Sequence, residues 1–343
     1  MVMTAVPDDA GQQSLRRRRL KFSVRTLLFL IALLSVWLAW LAIQVNRVRR
    51  ERAAVAAILD LGGRIRYDYE PGQYEMHERE KEKRLAALAG RPSPTFIDEP
   101  RGPKWLRELI GDEYFQEVEE VYLEGPNITD ENVACIRGLK HLKRLFLTKS
   151  RVSNDGVHYI RGLPKLEHLV LSNSAISDAA LAELATLDQL QNLYVAGTNV
   201  TGYGLKFLEG HSEVRQLNLN RTLVSDEAMQ YIGSLANLET LWLEKTHVTD
   251  RGLNSLNDLS KLRSLNLNHT VVSDEGLRNI ASLTTLRRLD LVGTQITDQG
   301  LKHLEGLTEL FYINVTDSRV TEIGVASIKR AIPNLYVATN RRR

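Results

Sequence analysis

From Val118 onward the apolar positions fall into a pattern that returns every 24 residues without an insertion. The repeats begin at Val118, Leu142, Leu166, Leu190, Val214, Leu238, Leu262, Leu286 and Leu310, so nine units run to Pro333. Leu286 to Glu309, LRRLDLVGTQITDQGLKHLEGLTE, is the cleanest copy. Its first half alternates with period two and its second half recurs at three-residue steps, which predicts a short strand, a turn and a helix in every unit. A unit of this size cannot bury its apolar side alone. Stacked copies bury one continuous core, so the pattern predicts an α/β solenoid with a parallel sheet on the concave face and helices on the convex face. Counting the first residue of a unit as zero, positions 0, 3, 5, 10, 15, 18 and 21 are almost all Leu, Ile or Val and are the predicted core.

The remaining columns have local roles. Position 8 holds Thr198, Thr222, Thr246, Thr270 and Thr294, with Ser150, Ser174 and Ser318 and, in the first unit, Pro126. Hydroxyls where the chain leaves the strand are placed to satisfy backbone groups in the turn. Thr or Ser at position 11, such as Thr249 and Ser273, suits a helix N-cap. Asp at position 12 (Asp130, Asp178, Asp226, Asp250, Asp274, Asp298) is then expected to add negative charge at each helix start rather than to bind metal.

This spelling resembles leucine-rich repeats, and among them the cysteine-containing subtype, whose T-D-x-G-L helix opening is shared with F-box-associated repeats. The subtype's cysteine falls at position 8, where this chain has the Thr and Ser named above. The resemblance implies the fold and says little about function.

Ahead of the repeats, Thr26 to Val45 is a run of 20 residues without a charge. At about 1.5 Å rise per residue it spans roughly 30 Å, the thickness of a bilayer's hydrocarbon core. Its length, and the basic cluster that follows it, favour a retained membrane anchor over a cleaved signal peptide. Six cations precede the span (Arg16 to Arg19, Lys21, Arg25) and four follow it (Arg47, Arg49, Arg50, Arg52), an asymmetry that predicts an inside N-terminus and repeats outside the cytoplasm, at a plasma (inner) membrane. The expected organisation is a basic tail over 1–25, the span over 26–45 and a juxtamembrane helix, short strand (RIRYDY) and charged linker over 46–102. An N-terminal cap over 103–117, the repeats over 118–333 and a terminal strand and basic tail over 334–343 complete it. The order of these parts is similar to that of bacterial single-pass membrane-anchored leucine-rich repeat proteins.

Composition changes the picture in two places. The net charge is +3, but residues 1–52 carry ten Lys/Arg against Asp8, Asp9 and Glu51, leaving the rest of the chain at −4. A folded domain without a basic face is a poor nucleic-acid binder. The single cysteine, Cys135, excludes an intramolecular disulfide and reads as a small core-edge residue. No phosphate loop, nucleophile elbow or H-E-x-x-H helix is present, so the reading has no catalytic residue, no cofactor and no metal, and the chain is not expected to be an enzyme.

Function is therefore expected at sheet-face positions the core does not dictate. Position 4 reads Tyr122, Phe146, Val170, Tyr194, Asn218, Trp242, Asn266, Asp290, Asn314, an aromatic half followed by a polar half. Tyr122, Phe146, Val170, Tyr194 and Trp242 are the predicted anchors for an unknown protein partner, with Lys149, Arg221, Lys245 and His269 at position 7 as a partial basic rim. Two other readings stay open: a cytoplasm-facing adaptor similar to F-box-type repeat proteins, and an envelope structural element that binds glycan or self-associates through an exposed C-terminal strand edge.

Overall fold

The computed structural model describes residues 24–70, 99–101 and 103–340. The basic tail, the charged helix expected over Tyr74 to Ala89 and Arg341 to Arg343 lie outside them. The chain divides into two units, one ending at Asn46 and one beginning at Arg47. In the first, helix α1 (Val24–Asp60) starts; its N-terminal stretch is long and apolar enough to cross a membrane and none of it is covered by protein.

The second unit holds one sheet of 11 strands in sequence order. They are β1 (Arg64–Tyr67), β2 (Val118–Tyr122), β3 (Arg144–Phe146), β4 (His168–Val170), β5 (Asn192–Tyr194), β6 (Gln216–Asn218), β7 (Thr240–Trp242), β8 (Ser264–Asn266), β9 (Arg288–Asp290), β10 (Tyr312–Asn314) and β11 (Tyr336–Ala338). From β2 onward every pairing is parallel and in register with the repeat, so that Leu241, for instance, lies between Leu217 and Leu265. The predicted core columns are buried: in the seventh coil Leu262, Leu265, Leu267, Val272, Leu277 and Ile280 are 0% exposed. Each buried Leu or Ile contributes about 1.5–3 kcal/mol, and each packs against the same column of the coils on either side. The fourth coil departs most. Its helix is replaced by a 3₁₀ turn (Tyr203–Leu208), and His211 stands in the apolar column at position 21 with its Nε2 buried and unpaired.

The position-8 hydroxyls do what the turn requires. Thr198, Thr222 and Ser174 each donate to the carbonyl three residues back at 2.6 Å, and Thr246, Thr270, Thr294 and Ser318 do so at 2.7 Å. The Asp column does more than place charge at a helix start. Each carboxylate reaches forward into the next coil, where Oδ1 accepts the backbone N–H of the N-cap residue and Oδ2 accepts its hydroxyl. Asp250 takes both from Ser273, at 2.8 and 2.6 Å, and Asp274 takes both from Thr297 at the same distances. Asp130, Asp178, Asp226 and Asp298 repeat the arrangement.

This explains the glycine of T-D-x-G-L. A Cβ on Gly276 would lie 2.4 Å from Asp250 Oδ1, and one on Gly300 would lie 2.3 Å from Asp274 Oδ1. Gly156, Gly252 and Gly324 face the preceding coil's Asp in the same way, and Gly204 meets the backbone and Cβ of Asp178. Where the preceding coil has Asn154 or Gly202 in place of Asp, position 14 is Ala180 or Ala228. The fit is reciprocal, since a Cβ on Gly202 would lie 2.3 Å from that of Ala228. The glycine is the space the carboxylate occupies.

The two ends of the core differ. Before β2 the core is covered by α1 beyond Asn46, with Val48, Ala54 and Ile58 buried, and by β1, which pairs antiparallel with β2. The expected cap over 103–117 does not do this: its helix α2 (Lys104–Ile110) turns Trp105 and Leu109 outward at 66% and 72% exposure, and apolar side chains facing away cannot cover a core. The juxtamembrane strand RIRYDY is thus the first strand of the sheet. At the other end β11 is the outermost strand, and among the described residues no strand pairs with its far edge.

Substituting Gly276→Ala should overpack the Asp250 site and destabilise by about 1–3 kcal/mol. Asp250→Gly loses the two bonds from Ser273, but in the double variant the Ala has the same kind of neighbour as Ala228. The expected result is a double-variant loss smaller than the sum of the singles, read from urea midpoints in a double-mutant cycle. Strict additivity would separate the glycine from the carboxylate.

Candidate functional site

Side chains at positions 2 and 4 leave the same face of a strand, because successive residues alternate faces. In a parallel in-register sheet, equal positions then stack from strand to strand. Tyr122 and Phe146 lie with ring centroids 4.3 Å apart and planes 3° from parallel. Val170 is too small to continue the stack, and His168, two residues before it on the same face, fills the gap at 5.2 Å from Phe146 and 5.2 Å from Tyr194. Tyr194 then meets Trp242 at 5.7 Å across β6, where Asn218 turns its Oδ1 to the backbone N–H of Asn220. At the β1 end the Arg64 guanidinium lies over Tyr122 at 5.0 Å. The result is one continuous strip from Arg64 to Trp242.

A hydrogen-bonded carboxylate anchors the strip at its β2 end. Glu120 is 5% exposed and accepts from Arg66 at 2.8 Å, from Tyr122 Oη at 2.9 Å and from Arg144. Burial pushes the Glu120 carboxyl up, but these three donors outweigh it and hold it at about 2. Burial and the bond to Glu120 push the Tyr122 hydroxyl up to about 12. A buried charge is tolerated here because it is paired and its lone pairs are used. At Tyr194 the hydroxyl donates to Gln216 Oε1.

The predicted anchors Tyr122, Phe146, Tyr194 and Trp242 are therefore brought together; Val170 lies in their column and contributes no ring. The position-7 cations are arranged differently from a rim. In all nine coils this position has positive φ: 55° to 57° at Lys149, Asn173, Arg221, Lys245, His269 and Asp317, and 65° to 105° at Gly125, Gly197 and Gly293. The column is a left-handed turn, and its Gly and Asn members were the sequence signal of that role. Arg221 and Lys245 both approach Glu244, at 3.6 and 3.8 Å, which offsets their charge. His269 sits against Gly293, where an added Cβ would lie 2.6 Å from its Nδ1. Lys149 has no carboxylate partner among the described residues.

Sequence reasoning missed His168, Glu120, Arg144 and Arg64. The first three occupy position 2 of coils whose position 4 had been singled out, so reading both columns together would have found them. Arg64 depended on β1 joining the sheet, which no repeat pattern announces. Among the described residues no three His, Cys, Asp or Glu side chains cluster as metal donors.

Burial, and then the nearby Arg144, push the His168 imidazole down to about 4. Its folded value lies below the ordinary 6.5, so the unfolded chain binds the proton more readily and stability falls as pH drops from about 6.5 towards 4. His168→Phe keeps a ring in the gap and removes this proton uptake. The variant should therefore lose less stability than the natural protein between pH 7.5 and 4.5, by about 2 kcal/mol once solvent screening is included. Urea midpoints of both proteins across that range give the difference directly.

Family models described as leucine rich repeat match residues 140–200, 258–281 and 282–304. Comparison with curated proteins gives no match. Among solved structures, internalin C2 from Listeria monocytogenes is similar at 20% identity over 65% of this chain and 81% of that one, with a TM-score of 0.42. A second internalin from the same organism, inlF, is similar at 17% identity over 65% of this chain and 87% of its own, with a TM-score of 0.38. The matched segments lie within the nine in-register coils, whose buried Leu, Ile and Val columns, strand, turn and short helix are the family's unit; the chain is a leucine-rich repeat protein.

Proposed function

We propose that the protein is a membrane-anchored scaffold that captures a protein partner on the aromatic strip of its sheet face. The observation that carries this reading is the strip from Arg64 to Trp242. Its rings lie in one contiguous line, Tyr122 and Phe146 stacked and the following contacts tilted by 34° to 40°. Aromatic anchors clustered on a rigid surface are what protein interfaces favour. The strip is held by short strands and by the Glu120 cluster, so little side-chain freedom is lost on binding, and the binding energy is not spent on ordering.

The anchor is the stretch Thr26 to Val45, and the cation asymmetry on its two sides puts the repeats outside the cytoplasm in this reading. No reaction is assigned to the sheet face, because its titratable groups are committed to one another.

Phe146→Ala and Trp242→Ala should each weaken partner capture by about 30-fold or more, the effect of removing an interface hot spot, while circular dichroism and the urea midpoint report a folded protein. Capture is read by pull-down from the envelope fraction with natural and variant proteins side by side; equal recovery by a folded Trp242→Ala protein would move the site elsewhere. Orientation is read separately by adding protease to spheroplasts. Removal of the repeat domain from intact spheroplasts is the expected result. Protection until lysis would reverse the topology and favour the cytoplasmic adaptor.

A further inference from the structure

A second concave site lies away from the strip, in a groove of about 230 Å³ between α1 beyond Asn46 and the segment leading into β2. Val48, Val55, Ala56 and Leu59 line it from the helix, and Tyr67 and Val118 from the sheet side. Glu51, Arg52, Tyr67 and Glu113 are the ionisable groups in its lining, with Gln116 beside them. Glu51 is 7% exposed, and its carboxyl makes no hydrogen bond among the described residues. The cation one turn before it, Arg47, is spent elsewhere: it donates to Glu117 at 3.2 Å and to the Tyr114 carbonyl at 2.9 Å. Arg52, at the groove wall, is bound to Glu113.

A buried carboxyl without a donor is costly, and stability alone would select an apolar residue here. The charged and titratable groups around Glu51 are Arg47 and Arg52 on its own helix, Tyr67 and Asp68 at the end of β1, and Glu113 and Glu117 on the segment before β2. Among the described residues these acids outnumber the cations, and both cations are bound to acids, Arg47 through its Nη1 with its Nε left without a partner. A largely apolar groove with a few polar groups, of which buried Glu51 is without a hydrogen-bond partner among the described residues, has the form of a small-molecule site.

We propose that this groove binds a small organic cation, an ammonium group carried on an apolar body, with Glu51 as the counter-ion and the Val, Ala and Leu side chains around the body. The volume is suitable: a dry cavity of about 150 Å³ holds benzene, so this one accommodates a six- or seven-carbon ring or chain with its ammonium. Burial pushes the Glu51 carboxyl up to about 7, the effect of Glu117 and Asp68 adding to it against that of Arg47. The carboxylate needed to pair with the cation is therefore present above pH 7 and lost below it. The site is independent of the aromatic strip and stands whether or not that strip captures a partner.

The test uses the full chain in nanodiscs and benzylammonium as the probe, with benzyl alcohol and benzoate as neutral and anionic analogues, by calorimetric titration at pH 8 and pH 5. The expected result is saturable binding of benzylammonium at pH 8, at least tenfold tighter than benzyl alcohol, weakened at pH 5 and weakened at least tenfold by Glu51→Gln. Partition of the amine into lipid is the same for both proteins and cancels in that comparison. Glu51→Gln replaces a buried acid by its neutral isostere, and a urea midpoint at pH 8 no lower than that of the natural protein verifies that it folds. Should Glu51→Gln lower that midpoint, Glu51→Asp, which keeps the charge and shortens its reach, takes its place with the same expected weakening. Three outcomes overturn the proposal: no saturable binding of benzylammonium, equal binding of benzyl alcohol, or undiminished binding by the folded Glu51 variant.

Discussion

A carboxylate in six of the nine coils ties each of those coils to the next and holds the register of the solenoid. A parallel stack of short coils has a weak point at each helix start, where the first backbone N–H groups lack an intrahelical acceptor. Here the preceding coil supplies one. Asp250 binds the backbone and the hydroxyl of Ser273 together, and the next residue, Asp274, passes the same pair of bonds to Thr297. The stapled residue is itself the N-cap, so a single side chain fixes both where a helix begins and how far it stands from its neighbour. The absent Cβ at position 14 follows from this, because two coils close enough for those bonds leave no room for one.

The core was legible in the sequence because it depends on a property that repeats. Leu, Ile and Val recur at fixed spacing, and every coil buries them in the same way. The hydroxyl column at position 8 was legible for a related reason, since a Thr after a strand has one nearby carbonyl to bond. The Asp column was legible as a helix-start residue and not as a link between coils. Its donors lie 23 residues away in the chain, and only the co-occurrence of Asp with the following Gly, broken together at Asn154/Ala180 and Gly202/Ala228, records the contact. The solenoid's first end was hidden for the opposite reason. Residues 47–67 occur once, so no period marks Ile58 or Ile65 as core.

On the sheet face, position 4 announced its aromatic half, and the structure joins it through a residue from another column. His168 does this because Val170 leaves a gap of one ring. A column read alone misses such a replacement, since what is preserved is a continuous stack and not the identity of one position. The position-7 cations illustrate the converse. Their charge drew attention, but the backbone chose the position first: a left-handed residue is needed in all nine coils, and six of the nine are not glycine.

The polar half of the sheet face is bonded to the solenoid's own backbone. Asn220 Oδ1 accepts the backbone N–H of Glu244 at 2.7 Å, and Asn268 Oδ1 accepts that of Val292 at 2.7 Å, each reaching into the next coil. Asn218, Asn266 and Asn314 turn instead to the backbone N–H two residues ahead. Beyond these, Arg288 and Asp290 pair with each other at 2.7 Å. These side chains are engaged with the solenoid itself, and a partner that used them would have to leave backbone N–H groups or the buried Asp290 carboxylate unpaired, at a cost of about 1–3 kcal/mol for each. In the strip, Tyr122 and Tyr194 donate their hydroxyls to Glu120 and Gln216, while Phe146 and Trp242 make no side-chain hydrogen bond among the described residues. The strip's aromatic contacts thus lie in the first six coils and these side-chain-to-backbone amide bonds from the fifth coil onward, an asymmetry that the repeat itself lacks.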